Sequence, residues 1–303
     1  MKPTVVILGV FDGVHLGHLE LIQQAKAIAI EQQARLVAAS FDPHPAAVLR
    51  PEEFQGLLTS PSYRSQLLKR AGVDAVEFLE FNDAMRKLSP DEFVDEVLIA
   101  QLSADVVVVG SNYRFGNKAA GDVDTLKALA TKYGLEVAEV SLAGDSKIWS
   151  STRIRNQILS GDVADARALL GRPHRLSGEV IYGDQRGREL GFPTANLSVA
   201  HGLIIPADGV YSGILTTVDE VLPAAISVGT NPTFDGITTR RVEAYALDRT
   251  DLKLYGQQVD LDFLQHIRPM QAFSGVPELI SAMKLDVLTA RGQIDDFLES
   301  HGH

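Results

Sequence analysis

Apolar residues in the first half of the chain follow two alternating periodicities. Short β-branched runs predict buried strands, and stretches with apolar residues three and four positions apart predict amphipathic helices. The predicted strands are Thr4–Leu8, Arg35–Phe41, Asp74–Leu79, Asp105–Val109 and Leu135–Val140. The predicted helices between them are Leu19–Gln33, Pro61–Ala71, Pro90–Leu102 and Val123–Tyr133. Alternation of this kind predicts an α/β fold with a parallel sheet and a ligand at the carboxyl ends of its strands.

The pattern changes after Gly171-Arg172-Pro173, where we place a domain boundary. Two short predicted helices, Arg153–Leu159 and Val163–Leu170, come before it. After it, β-type runs divided by Gly, Pro, Asn and Asp predict a small antiparallel barrel. These runs are Gly178–Ile181, Val210–Thr217, Leu222–Val228, Arg241–Ala246 and Gln258–Phe263.

The last periodic stretch, Val276 to Leu298, predicts a helix that is interrupted at Gly292 and packs on the barrel. The 303 residues suit two domains, which we expect at residues 1–171 and 172–303.

Composition narrows the possible functions. A net charge of −11 argues against a general nucleic-acid binder, which needs a basic face. No apolar run approaches the length of a membrane span, and no signal peptide is recognisable, so we expect a cytoplasmic protein. The absence of cysteine excludes disulfides and thiolate metal sites. The net charge does not exclude a small anionic substrate, because local clusters of Arg, Lys and His decide whether one is bound.

The string G-V-F-D-G-V-H-L-G-H at residues 9–18, here called the histidine turn, connects the first predicted strand to the first predicted helix. Free backbone N–H groups and the helix dipole make such a turn a phosphate site. Gly9, Gly13 and Gly17 allow close backbone approach to a ligand. His15 and His18 lie on one helical face and can donate to the same oxygens. A pair of helix-capping histidines is the plainer interpretation, but the ten-residue string favours a nucleoside triphosphate site.

Two further loops follow predicted strands at the same edge. Ser40-Phe41-Asp42-Pro43-His44-Pro45 is made rigid by its prolines, which aim His44 at the crevice above the sheet. In the glycine-rich loop of residues 110–122, Asn112 can contact a base or flavin edge, and Arg114 or Lys118 can meet a phosphate. A surface turn and a solvated loop are the alternative interpretations.

The stretch Trp149-Ser-Ser-Thr-Arg-Ile-Arg155 combines hydroxyls with two arginines and predicts a second anion site. Helix capping alone also accounts for hydroxyls at such a position.

The C-terminal half carries its own candidate chemistry. Thr194 and Asn196 end a loop rich in glycine and arginine, and their oxygens suit Mg²⁺. The loop lacks the G-x-x-x-x-G-K-[ST] pattern, so a kinase here is of another class. Glu243, in the strand-like R-V-E-A-Y, is a candidate general base, although most strand glutamates are solvated.

Together these motifs closely resemble the prokaryotic bifunctional riboflavin kinase/FMN adenylyltransferase family over nearly the whole chain. The histidine turn, SFDPHP, GSNYRFG and SSTRIR are similar to its Rossmann-like nucleotidyltransferase module. GDQRGRELGFPTANL, PADGVY, VGTNPTF and RVEAYALD are similar to its riboflavin kinase module, a small antiparallel β-barrel with a C-terminal helix.

The resemblance implies two reactions that use riboflavin, ATP, FMN and FAD, with Mg²⁺ as cofactor. Riboflavin is phosphorylated by ATP to FMN in the barrel, and FMN is adenylylated by a second ATP to FAD in the N-terminal domain. The implied catalytic residues are His15, His18, Arg153 and Glu243.

The resemblance also implies binding residues for both reactions. Those for ATP in adenylyl transfer are Gly9, Phe11, Gly13, His15, His18, Asn112, Ser151, Thr152 and Arg153. Those for FMN in the same domain are His44, Pro45 and Asn112. Those for ATP and flavin in the kinase are Gly183, Arg188, Gly191, Pro193, Thr194, Asn196 and Arg268, with Thr194 and Asn196 holding the metal.

The chain departs from the family pattern at several positions. Asn112-Tyr113 stands where many relatives carry Asp-Phe, Ala119 where many carry Arg, and Trp149 where a small aliphatic residue is usual. The segment that starts at Arg268 also differs. None of these changes touches the histidine pair or Glu243, so we expect both activities. Two alternatives remain: a cytidylyl- or adenylyltransferase with one activity, and a flavin-binding sensor without catalysis.

Overall fold

The computed structural model describes residues 2–141, 149–183, 190–232 and 238–301. It contains two compact units, Met1–Ser151 and Thr152–His303. The domain limits expected above, 1–171 and 172–303, stay a prediction.

The first unit is built on a five-stranded parallel sheet, as predicted. Its strands are β1 (Thr4–Leu8), β2 (Arg35–Phe41), β3 (Ala75–Leu79), β4 (Val106–Gly110) and β5 (Glu136–Val140). Their order is β3-β2-β1-β4-β5. Because β2 and β4 flank β1 on opposite sides, the winding of the chain reverses at β1. The carboxyl end of β1 is therefore the switch point at which open α/β sheets bind ligands.

Helices cover both faces of this sheet. They are α1 (Leu16–Glu31), α2 (Pro45–Leu49), α3 (Pro61–Arg70), α4 (Pro90–Glu92), which continues as a π-helix over Phe93–Gln101, and α5 (Val123–Tyr133). Alternate residues of β1 enter different cores: Val6 and Leu8 join one apolar cluster, and Val5 and Ile7 join the other. Burial on both faces explains why β1 is an unbroken apolar run rather than an alternating one.

The second unit is a closed antiparallel barrel with helices, again as predicted. Two helices come first: α6 (Ser151–Ser160), which starts at the last residue of the first unit, and α7 (Val163–Leu170). The strands are β6 (His174–Ile181), β7 (Ala195–Val199), β8 (Gly209–Thr216), β9 (Val221–Pro232), β10 (Thr238–Ala246) and β11 (Gln258–Arg268), and α8 (Val276–His301) follows them. The barrel order is β10-β7-β6-β11-β8-β9.

The predicted interruption of the last helix at Gly292 is wrong, because α8 runs through it without a break. Ala290 and Ile294, on either side of Gly292, are buried in a cluster with Leu247 and Leu264. A glycine in an exposed helix position costs about 1 kcal/mol relative to alanine. Burying these two side chains against the barrel outweighs that cost.

Candidate active sites

The histidine turn lies directly after β1 and runs into the first turn of α1, which begins at Leu16 rather than at the predicted Leu19. The rings of His15 and His18 stack with centroids 3.7 Å apart and planes inclined by 15°. The Phe11 ring meets His18 edge-on at 5.2 Å. His15 is buried, and His18 is partly exposed. The turn therefore presents a fixed aromatic group at the start of a helix, where backbone N–H groups point outward.

The backbone of the turn is held in an uncommon conformation. Phe11 and Val14 have φ of 51° and 38°, and Gly13 has φ of 85°. The left-handed region costs a residue with a Cβ roughly 1–2 kcal/mol. Such strain persists only where the surrounding structure fixes it, and it concentrates at functional sites.

A side chain at either of two glycines of the turn would crowd a neighbouring aromatic residue. A Cβ on Gly9 would lie 2.9 Å from the Phe11 ring, and one on Gly17 would lie 3.1 Å from the Cβ of Trp149. The Ser151 hydroxyl donates a hydrogen bond to the backbone oxygen of Asp12 at 2.9 Å. The turn is thus in contact with the start of the W-S-S-T-R-I-R stretch.

His44 and Pro45 form the start of α2, after β2. The backbone N–H of Ala46 donates to Nδ1 of His44 at 3.0 Å, and the imidazole lies 4.8 Å from the Phe54 ring. An accepting Nδ1 places the proton of the neutral ring on Nε2, which fixes the tautomer. A role of His44 in flavin binding stays a prediction.

The loop after β4 and the start of α6 carry the remaining predicted residues of this site. Asn112 is exposed in the loop, and Arg114 pairs with Asp122 at 3.3 Å. Thr152 and Arg153 are exposed on the first turn of α6. Their contacts with ATP stay predictions.

Three buried polar residues of the first unit were missed by the sequence analysis: Asp12, Thr59 and Arg64. Asp12 lies inside the histidine turn, and Arg64 takes a buried position on α3 beside Leu67 and Leu68. An arginine at an apolar helical position was the available signal, because arginine is almost never fully buried unless it is paired.

In the barrel, the structure brings Glu243, Thr194 and Asn196 together. Glu243 of β10 is opposite Asn196 of β7 in the strand register. The Thr194 hydroxyl donates to Glu243 Oε2 at 3.0 Å. A Cβ on Gly183 would lie 2.3 Å from Nδ2 of Asn196, so a side chain at this position would displace the Asn196 amide. β7, which positions Asn196, was not predicted, because it is short and two of the five residues in its sequence A-N-L-S-V are polar.

Two pockets meet at Thr194. The first, of about 240 Å³, is mainly apolar and aromatic, and Glu243 lies in its wall. Its further lining includes Phe192, Tyr245, Arg268, Met270, Phe273 and Met283. The second, of about 250 Å³, is more polar. Its lining includes Gly183, Pro193, Asn196, Arg249, Lys253 and Tyr255. A flat apolar ligand suits the first pocket and a more polar one suits the second.

Arg268 lines the first pocket, but its charge is already matched. Its Nε and Nη2 donate to the two carboxylate oxygens of Asp286 on α8 at 2.8 and 2.7 Å. The guanidinium also lies 5.6 Å from the centroid of the Phe273 ring. Gly191 is exposed with φ of 86°, and Arg188 lies outside the described residues.

The oxygens around Glu243 fit a divalent cation. A hydroxyl (Thr194) and an amide (Asn196) are hard donors that Mg²⁺ takes alongside water and phosphate oxygens, and the Glu243 carboxylate lies beside them. Within the described ranges, no group of three or more His, Cys, Asp or Glu side chains could hold a metal by itself.

Comparison with known proteins identifies both halves of the chain. A family model described as FAD synthetase matches residues 1–153, and one described as riboflavin kinase matches residues 170–294. A bifunctional riboflavin kinase/FMN adenylyltransferase of Listeria monocytogenes is 37% identical over 93% of this chain and 90% of the relative. The chain belongs to this family.

Other members of the riboflavin kinase/FMN adenylyltransferase family are similar over the same extent. The Bacillus subtilis protein is 34% identical over 93% of this chain and 90% of its own length. The Escherichia coli K12 protein is 31% identical over 96% of this chain and 92% of its own length. A crystal structure described as that of a macrolide-efflux protein from Streptococcus pneumoniae has 35% identity and a TM-score of 0.87, and the match covers 96% of this chain and 94% of that one.

The family confirms the resemblance inferred from the two sets of motifs, with one module for FAD synthesis and one for riboflavin phosphorylation. Enzymes that transfer phosphoryl or adenylyl groups from ATP generally depend on a divalent metal. Among the described helices, none has the length and apolar character needed to cross a membrane.

Proposed function

We propose that this chain converts riboflavin to FMN and FMN to FAD, using one ATP in each step and two sets of residues with no member in common. The observation that carries the proposal is the contact between Thr194 and Glu243, at the junction of two pockets inside a riboflavin kinase module. A second observation supports the adenylyl-transfer step: the histidine turn lies at the switch point of a FAD synthetase module.

In the kinase step, riboflavin's isoalloxazine ring occupies the apolar pocket and ATP the polar one. Glu243 accepts the proton of the ribityl 5′-hydroxyl, whose oxygen attacks the γ-phosphorus of ATP. The bond from that phosphorus to the β–γ bridging oxygen breaks, which gives FMN and ADP. Thr194 orients the Glu243 carboxylate through its 3.0 Å hydrogen bond.

Mg²⁺ is the cation we propose for the kinase site, held by the oxygens of Thr194 and Asn196. Its chemical contribution is to neutralise charge on the ATP phosphates. Gly183, Gly191 and Pro193 shape the loops around these phosphates, and we assign Arg188 and Arg268 to nucleotide and flavin contacts.

In the adenylyl-transfer step, a phosphate oxygen of FMN attacks the α-phosphorus of ATP, and the bond to the β-phosphate breaks to release pyrophosphate. His15 and His18 donate N–H groups to the triphosphate, while Gly9, Phe11 and Gly13 shape the turn. The remaining ligands we assign are Ser151, Thr152 and Arg153 for the phosphates, His44 and Pro45 for FMN, and Asn112 for both nucleotides. Catalysis here is positioning and charge compensation.

We further propose domains at 1–171 and 172–303 and a cytoplasmic location. The two family models support such a division, since one ends at residue 153 and the other begins at residue 170.

The purified chain, incubated with riboflavin, ATP and Mg²⁺ and followed by chromatography of the flavins, tests this function. We expect FMN to appear first and FAD to follow, and we expect a chelator to stop both steps. FMN alone would exclude the adenylyltransferase. If the chain failed to convert riboflavin but converted supplied FMN to FAD, the result would favour the alternative of a transferase with a single activity. Binding of flavin without any conversion would leave the sensor.

A further inference from the structure

A fully buried guanidinium lies beneath the loops that leave β1 and β2. Arg64 on α3 has 0% relative exposure. Its Nη1 shares its hydrogens among the backbone oxygen of Val10 (3.1 Å), the Ser40 hydroxyl (3.0 Å) and the backbone oxygen of Phe41 (3.1 Å). Val10 belongs to the histidine turn, and Ser40 and Phe41 end β2. One cation therefore ties the starts of both loops together.

A buried carboxylate makes a second connection to the same turn. Asp12, 1% exposed, accepts hydrogen bonds from the backbone N–H of Leu58 and Thr59, each at 3.0 Å, and from the Thr59 hydroxyl at 3.1 Å. The Thr59 hydroxyl in turn accepts from the backbone N–H of Gly13 at 3.1 Å. Asp12 Oδ1 lies 4.0 Å from Arg64 Nη2, so the two buried charges face each other.

These contacts surround the strained part of the histidine turn. Phe11, with φ of 51°, lies between Val10, which Arg64 holds, and Asp12, which Thr59 holds. A backbone in this region persists only if its neighbours fix it. The Phe11 ring in turn contacts His18 at 5.2 Å. The network therefore acts on the histidines through Phe11.

We propose that Arg64 is a positioning residue for adenylyl transfer, which with Asp12 and Thr59 sets the histidine turn against the loop after β2. The inference rests on the proposed function of the first unit. Arg64 is fully shielded from solvent, so it acts through the loops that it holds. A lysine keeps the charge but lacks the planar fork of donors that reaches several acceptors at once.

The test compares Arg64→Met, Arg64→Lys and Thr59→Val with Arg35→Met. Arg35 is an exposed residue at the opposite end of β2, so its loss leaves both loops in place. For each variant, kcat and KM for ATP and FMN are measured in adenylyl transfer, and riboflavin phosphorylation is measured on the same preparation. Circular dichroism and thermal unfolding establish that each variant is folded.

We expect Arg64→Met to lower kcat of adenylyl transfer about 100-fold, since misplacement by about 1 Å can have that effect. We expect about tenfold losses for Arg64→Lys and Thr59→Val, because part of the network remains in each. KM for ATP should change less than kcat, the kinase step should stay unchanged, and Arg35→Met should resemble the unaltered chain. If Arg64 had a merely structural role, its replacement would lower the unfolding temperature and leave kcat of the folded molecules unchanged.

A folded Arg64→Met variant with kcat within twofold of the unaltered chain would overturn the inference. If that variant does not fold, normal rates for both Arg64→Lys and Thr59→Val would overturn it equally. An unaltered chain that forms no FAD from FMN is a distinct result, because it would overturn the proposed adenylyl transfer together with this inference.

Discussion

Glu243 is a strand glutamate, and residues of this kind are usually solvated. Nothing near it in the sequence indicates which groups face it. Thr194, its hydrogen-bond donor, is 49 positions away along the chain, and Asn196 comes opposite it only through the register of β10 with β7. The resemblance assigned Glu243 its role, and the closed barrel explains how Thr194 and Asn196 come to lie beside it.

Asp12 and Arg64 show the opposite case at the residue scale. Sequence patterns distinguish apolar from polar positions, and they assign charged residues to the surface. A buried ion pair breaks that rule. The helical spacing of Arg64 is a weak signal of its burial, but only the three-dimensional structure shows that Asp12 faces it from a turn 52 positions earlier in the chain. The motif was therefore predictable, whereas the side chains that hold it were not.

Trp149, the single tryptophan of the chain, should report on nucleotide binding. A Cβ on Gly17 would lie 3.2 Å from Cε3 of the indole and 3.4 Å from Cε1 of His15, so both rings lie next to the same glycine. A triphosphate bound by His15 and His18 would change the charge and polarity beside the indole. We expect its fluorescence to change on titration with ATP or pyrophosphate.

The control for this prediction is a pair of variants. His18→Ala should lose the fluorescence change, and Glu243→Ala should keep it. No change in the unaltered chain, or the same change in His18→Ala, would contradict the place assigned to the triphosphate.

At the scale of elements, buried strands were predicted best. The bounds of β1 and β2 match the predicted ones, because strands buried on both faces are mostly apolar throughout rather than alternating. β7 was missed, because pairing with β6 and β10 rather than its own partly polar sequence makes it a strand. The start of α1 was placed three residues late, because the prediction treated the turn and the helix as separate.

α8 gives a prediction at this scale. Gly292 is exposed within the helix, and no atom lies within 4 Å of a Cβ built there. Gly292→Ala should therefore raise the free energy of unfolding of the barrel unit by about 0.5–1 kcal/mol. The measurement is the urea concentration at which riboflavin phosphorylation is lost.

The matched control is Gly134→Ala at the end of α5. A Cβ at Gly134 also meets no atom within 4 Å, but its φ is 65°, so alanine is strained there. This variant should lower the urea concentration at which adenylyl transfer is lost. A loss of stability in Gly292→Ala would contradict the continuous α8.

For the whole molecule, the central claim is that two reactions use separate sets of residues. The residues assigned to adenylyl transfer lie between positions 9 and 153, and those assigned to the kinase lie between 183 and 268. The number and class of the units followed from the change in periodicity near residue 171. Which residues form each site depended on the resemblance and on the folded contacts.

The separation of the two sets is tested most directly by His18→Ala and Glu243→Ala, each folded and supplied with riboflavin, ATP and Mg²⁺. We expect His18→Ala to accumulate FMN without forming FAD. We expect Glu243→Ala to leave riboflavin unchanged but to convert added FMN to FAD. A mixture of the two variants should convert riboflavin to FAD, because each supplies the step that the other lacks. If either substitution abolished both steps in a folded chain, or if the mixture made no FAD, the assignment of two independent sites would be contradicted.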